Sequence, residues 1–147
     1  MLTNMSQPDD LLIERTTDLD LSADELWLLI STADGWSSWL VDDAELAIES
    51  DASGTATEDG VVRNVHIENV VDGERIDFTW WDRDNQSSGS YVRLDIVELP
   101  DGRSRLRIAE QVVGAASTAP MPAEAAVSWD VRMVSLWLLA LHSTVMA

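Results

Sequence analysis

The sequence predicts an α+β domain: a curved antiparallel sheet of about six to seven strands wrapped round one long C-terminal α-helix, with two short helices after the first strand. Three observations carry this. Residues 122–146 hold a helical period with no breaker; the stretch from Ala44 to Val112 has a period of two, cut by turn signals; and a helix-start signal stands at Ser22.

In the last stretch, Pro120 and Pro122 suit a chain entering a helix, with Pro122 at the first helical position and Glu124 in a first turn that favours a carboxylate. About 24 residues at ~1.5 Å each make a rod of roughly 36 Å. Helical spacing puts Ala126, Trp129, Met133, Trp137 and Ala140 in one stripe, flanked by Leu136 and Leu141, while Glu124, Ser128, Ser135 and His142 fall opposite. His142, near the C-terminal end where a cation is favoured, reads as structural. Val127, Val131, Val134, Leu138 and Val145 widen the apolar arc to roughly 220°, against the ~100° that a helix lying on one surface needs. The upstream chain is therefore expected to wrap this helix on more than one side, with a second subunit as the other way to cover Val131, Val134 and Leu138.

Upstream, residues 11–19 read as a first strand. Ser22 and Glu25 stand in capping-box spacing and Leu21 can staple onto Leu26, so a helix starts here and stops near Asp34 and Gly35. Trp36 to Leu40 follows as a short second helix or turn with Trp36 and Trp39 on one side. Turn signals at Gly54, Asp59-Gly60, Asp72-Gly73, 85–90 and Pro100-Asp101-Gly102 delimit strands near 44–50, 54–58, 61–71, 74–82, 90–99 and 103–112. Short turns make consecutive strands antiparallel neighbours. Ile76, Phe78 and Trp80 share a face, as do Val92, Leu94 and Ile96, and Leu106 and Ile108; the opposite face, with Arg75, Asp77, Arg93, Asp95, Arg105 and Arg107, is expected to be wet.

The chain has 147 residues, 46% of them hydrophobic, which suits a single domain over 11–147 behind a flexible tail at 1–10. There is no cysteine, hence no disulfide, thiolate nucleophile or zinc knuckle. Against 27 acidic residues stand nine basic ones, all arginine, for a net charge of -18. That charge repels phosphate backbones and anionic lipid, so nucleic acid and membrane surfaces are not the expected partners of the isolated chain. The acidity reads either as a solvated surface or as a field steering toward a basic partner. The first residues carry no signal-peptide pattern, and the longest unbroken apolar run of the last helix, 136–141, is far below the ~20 residues a bilayer requires. A soluble cytoplasmic protein without membrane insertion is expected.

The order of elements resembles the helix-grip fold of START-like (SRPBCC, Bet v 1-like) proteins, and within it the family related to the C-terminal domain of the Hsp90 ATPase activator Aha1. The resemblance rests on Leu21-Ser22-Ala23-Asp24-Glu25-Leu26-Trp27 through Trp36-Ser37-Ser38-Trp39-Leu40, on Glu74-Arg75-Ile76-Asp77-Phe78-Thr79-Trp80, and on Arg103-Ser104-Arg105-Leu106-Arg107-Ile108-Ala109-Glu110. It covers about residues 11–146. Ser104-Arg105 departs from the usual Gly-Thr before the last strand. The resemblance implies an apolar cavity between sheet and helix; relatives bind lipids, sterols or polyketides, or cyclise polyketides, and many bacterial members have no known activity. A shared fold does not carry the function across.

Five of the seven tryptophans, Trp36, Trp39, Trp80, Trp129 and Trp137, border the expected cavity, and Phe78 and Met133 face the same way. The set reads as a filled core or as the lining of a small-molecule site. Three residues are acid–base candidates. Asp130 sits at the edge of the helix's apolar arc, either anchoring a ligand or solvated at the rim. Glu110 continues the inward series of Leu106 and Ile108, either as a polar group in the cavity or as the wet end of the strand. His66 has Glu68 on the same strand face, a general-base pair or a surface cross-strand contact. Asp82 continues the series of Ile76, Phe78 and Trp80 and reads as exposed. No metal spacing, phosphate loop or nucleophile elbow is present, and no cofactor is expected. The leading reading is a module that binds a small apolar or lipid-like molecule without catalysis. The alternatives are a cyclase- or dehydratase-type enzyme in the same cavity, and a chaperone-related or other protein-interaction module, with a homodimer as one form of partnership.

Overall fold

A capping box starts the first helix, α1 (Ala23–Ser31): Ser22 Oγ accepts the Glu25 N–H at 3.1 Å while Glu25 Oε1 accepts the Ser22 N–H at 2.8 Å. The computed structural model describes residues 12–112 and 121–146, apart from the side chains of 86–88, 121–127 and 142–146. The expectations for residues 1–10 and for the side chains of Glu124, Ala126, Val127, His142 and Val145 lie outside the described residues. A second helix, α2 (Ala33–Trp39), follows at once, capped by Thr32, whose Oγ1 accepts the Gly35 N–H at 2.9 Å. Gly35 therefore lies inside α2 and does not end α1. A Cβ there would stand 2.5 Å from Leu28 O and 2.7 Å from Leu29 Cα, so the missing side chain serves the close approach of the two helices.

The sheet has seven strands: β1 (Leu12–Leu19), β2 (Asp43–Glu45), β3 (Ser53–Glu58), β4 (Val61–Val71), β5 (Arg75–Asp82), β6 (Asn85–Glu98) and β7 (Ser104–Val112). Their order is β1-β7-β6-β5-β4-β3-β2, antiparallel at every pairing, so the first strand lies beside the last. With the α-helix Met121–Met146, here α3, this is the α+β helix-grip architecture expected.

Two strand boundaries differ from expectation. β2 is only three residues long and keeps two, Ala44 and Glu45, of the expected 44–50, and a Cβ on Gly54 would lie 2.3 Å from Glu45 O, so this glycine lets β3 approach the end of β2 instead of marking a turn. β6 begins at Asn85, because the polar stretch expected to be a loop pairs with β5 beyond a register shift, Asp82 opposite Asn85. Backbone pairing does not require the apolar alternation that signals it.

Inward residues of the central strands, among them Ile67, Ile76, Phe78, Leu94, Leu106 and Ile108, are fully buried with Trp36 and Trp129. The outward face is less wet than expected: Asp77 is 3% exposed, with Arg93 Nε at 2.8 Å and Arg75 Nε at 3.4 Å. Arginine stems cover the carboxylate, and its hydrogen bond raises the Arg93 pKa above the ordinary value.

The helix is gripped on one stripe. Trp129, Met133, Leu136 and Ala140 are buried, whereas Trp137 is 49% exposed and its Nε1 donates to Thr17 Oγ1 at 2.6 Å. The buried stripe thus passes through Leu136 and not Trp137. Val131, Val134, Leu138 and Leu141 are 47–62% exposed, so the expectation that the upstream chain covers the wide apolar arc is overturned. A sheet laid against a straight helix covers about the ~100° its contact stripe subtends. Among the described residues no helix is long and apolar enough to cross a membrane.

On the sheet surface, Arg105 Nε donates to Asp18 at 2.6 Å and holds that carboxyl below its ordinary pKa. A lowered folded-state pKa contributes stability above the ordinary carboxyl value, and the contribution disappears as pH falls through the lowered one. Carbon-detected NMR titration should place Asp18 below the surface carboxylates, and Arg105→Gln should return it to their range; an Asp18 midpoint unmoved by the substitution would contradict the pairing.

Candidate functional site

Alternation along three neighbouring strands sends Trp80 of β5, Ser90 of β6 and Glu110 of β7 to the concave face, with Trp80 opposite Ser90 and Val92 opposite Glu110. Glu110 is 6% exposed. Its Oε2 accepts the Trp80 indole N–H at 3.1 Å and, at closer range, the Ser90 hydroxyl; its Oε1 accepts the Trp129 indole N–H at 2.8 Å. One carboxylate thus joins three strands and the long helix. Of the two readings of Glu110, the buried polar group is the one found.

The aromatic rings form a continuous cluster around it. Trp36 packs on Phe78 at 4.7 Å between centroids, Phe78 meets Trp80 edge-on at 5.2 Å, Trp80 stacks with Trp129 at 6.5 Å, and Trp129 lies 6.4 Å from Trp39. The indole N–H groups of Trp36 and Trp39 donate to Ile30 O at 2.8 Å and Leu29 O at 2.9 Å, satisfying carbonyls of the last turn of α1. Trp36, Trp39, Phe78, Trp80, Trp129 and Met133 are therefore brought together in the interior; Trp137 lies at the β1 edge of the helix, outside this cluster.

Two arginines border the cluster. Arg132, 4% exposed, donates from Nε to Leu40 O at 3.0 Å and from Nη2 to Glu58 Oε1 at 2.5 Å, and its guanidinium carbon lies 4.5 Å from the Trp129 ring centroid. Arg63 lies 4.4 Å over the Trp80 ring and 3.7 Å from Glu58. Its Nη1 is buried with no hydrogen-bond partner. Burial, then the Arg132 charge, lowers the Arg63 pKa, while Glu58, Glu110 and Asp82 act in the opposite sense.

The other candidates lie apart. Asp130 is exposed and paired with Arg15 at 2.8 Å. His66 Nδ1 is 2.9 Å from Ser53 Oγ across the β3–β4 pair. Glu68, at the β-bulge between Ile67 and Asn69, accepts from Thr79 Oγ1 at 2.9 Å, so it and His66 are partnered separately. Asp82 accepts the Asp84 N–H at the β5–β6 turn. Among the described residues no group of histidine and carboxylate side chains is placed to hold a metal. Sequence reasoning missed Ser90, Arg63, Arg132 and Glu58. Arg132, three residues after Trp129 in an otherwise apolar run, was the available signal.

The concave aromatic face, the antiparallel sheet and the terminal helix laid on it form a helix-grip fold. No protein-family model matches the chain, and no curated protein matches it. Solved structures do match. MLL2253 from Mesorhizobium loti superposes with a TM-score of 0.77 at 15% identity, covering 87% of this chain and 95% of that one. The Aha1 dimer from Colwellia psychrerythraea gives 0.73 at 14%, covering 88% and 95%. DynU16, from the dynemicin biosynthetic locus, gives 0.75 at 14%, covering 86% of this chain, which spans 46% of DynU16. At these identities the likeness shows the fold alone.

Removing the carboxylate tests its structural weight. Glu110→Ala leaves two indole N–H groups and a hydroxyl without their acceptor, and should cost about 3–5 kcal/mol in urea unfolding; Glu110→Gln, which keeps an acceptor oxygen, should cost about 1–2 kcal/mol. A loss under ~0.5 kcal/mol for the alanine variant, the range of surface substitutions, would contradict the assigned network.

Proposed function

We propose that the protein is a small-molecule-binding module that holds an apolar or lipid-like molecule at the concave face, near Arg63, Trp80 and Glu110, and catalyses no reaction on it. The single observation that carries this reading is the Arg63 Nη1, a buried cationic donor with no hydrogen bond, its nearest carboxylate Glu58 at 3.7 Å, beside a cluster of aromatic side chains. Buried polar groups are nearly always hydrogen-bonded, and an orphan costs about 1–3 kcal/mol. An oxygen of a bound molecule would satisfy it; Trp36, Trp39, Trp80 and Trp129 are at most 4% exposed, so the apolar body reaches their faces only as the cluster parts.

Acid–base catalysis has less support. Glu110 already accepts three donors, Asp130 is committed to Arg15 at the surface, and His66 is bonded to Ser53 away from Glu110. None of the three converges with another on a reacting position. The fold shared with DynU16 and Aha1 is compatible with binding and names no ligand.

Native mass spectrometry of freshly purified protein tests the reading. A discrete adduct removed by organic solvent is expected, and Arg63→Met, which keeps the stem and removes the donor, should lose it while remaining folded by circular dichroism. A bare chain under gentle ionisation, or an adduct retained in full by Arg63→Met, would contradict the proposal.

A further inference from the structure

The outer face of α3 carries a second property that the small-molecule site does not use. Val131, Val134, Leu138 and Leu141 are 62%, 47%, 62% and 61% exposed, and half-exposed Trp137 borders them. Five large apolar side chains on one face of one helix are more than the scattered singles of an ordinary surface. Asp130, the charged residue within this face, is neutralised by Arg15.

Beside the row runs a groove of about 390 Å³ whose α3 wall includes Val131 and Ser135. Its opposite wall carries Asp42, Glu58 and Asp59. Glu58 is taken by Arg132, whereas Asp42 and Asp59 are exposed, with Asp42 Oδ2 accepting the Asp59 N–H at 2.8 Å. The wider field has the same sign. The net charge is -18, and among the described residues seven of the nine arginines, Arg83 and Arg107 apart, are seen in ion pairs.

We propose that this face docks a basic amphipathic segment of another protein, its apolar side on Val131, Val134 and Leu138 and its arginines or lysines in the groove at Asp42 and Asp59. Charge decides the occupant. A second copy would bring another -18 and the same acidic rim, so like charges would face one another along the contact. A basic helix meets the apolar row and the acidic wall together, as in helix-in-groove recognition. The inference is independent of the ligand site.

The probe is a synthetic amphipathic helical peptide of leucine and lysine, fluorescently labelled, with binding to the full chain followed by anisotropy at physiological salt. Leu138→Glu should weaken binding at least about tenfold, although it adds a negative charge that would strengthen nonspecific attraction. Asp42→Asn with Asp59→Asn should weaken it more than Asp72→Asn with Glu74→Gln, which removes the same charge at the β4–β5 turn. Affinity unchanged by Leu138→Glu, or lost equally in both charge-removed pairs, would overturn the proposal by reducing it to general attraction to an acidic protein. Sedimentation showing a dimer that Leu138→Glu dissociates would overturn it in favour of a second copy.

Discussion

Glu110 is the constraint on which the rest of the interior depends. A carboxylate at 6% exposure is expensive unless its oxygens are filled, and here they receive two indole N–H groups and a hydroxyl from β5, β6 and α3. To fill them, Trp129 must sit over β7 at the height of Glu110, which fixes the axial position and rotation of the long helix. Apolar contacts alone would tolerate a helix slid or turned by a fraction of a residue; a two-ended hydrogen bond would not.

The arginines extend this constraint outward. Arg132 is carried into the interior by the same helix turn as Trp129, and its bonds to Leu40 O and Glu58 tie α3 to the end of α2 and to β3. Arg63 packs on the opposite neighbour, Trp80, and shares Glu58 only at 3.7 Å. The concave face therefore ends in a polar layer of two guanidinium groups and two carboxylates around tryptophan faces, while its deeper part is hydrocarbon. This asymmetry distinguishes the site from an ordinary sheet–helix core.

Local signals in the sequence were legible because their causes are local. The Ser22–Glu25 capping box and the alternation along β5 and β7 form as spacing demands, and the inward aim of Glu110 follows from Leu106 and Ile108. The cost of burying Glu110 is met by Trp129, Ser90 and Trp80, 19, 20 and 30 residues away, which no spacing rule connects. Gly35 and Gly54 misled for a related reason: a glycine that admits a neighbouring backbone looks the same in sequence as one that makes a turn. The wide apolar arc of α3 signals burial, yet Val131, Val134, Leu138 and Leu141 stay exposed, since hydrophobicity records that a surface wants burial and not what buries it.

The most direct test of the Glu110 network is the indole region of a proton–nitrogen correlation spectrum with hydrogen exchange. The Trp80 and Trp129 N–H protons should exchange slowly, and Glu110→Gln should shift both while leaving Trp36 and Trp39, which donate to backbone carbonyls, nearly in place. Trp80 and Trp129 signals that exchange as fast as exposed indoles, or that do not move in the variant, would contradict the account, because the carboxylate would then not be what holds the helix on the sheet.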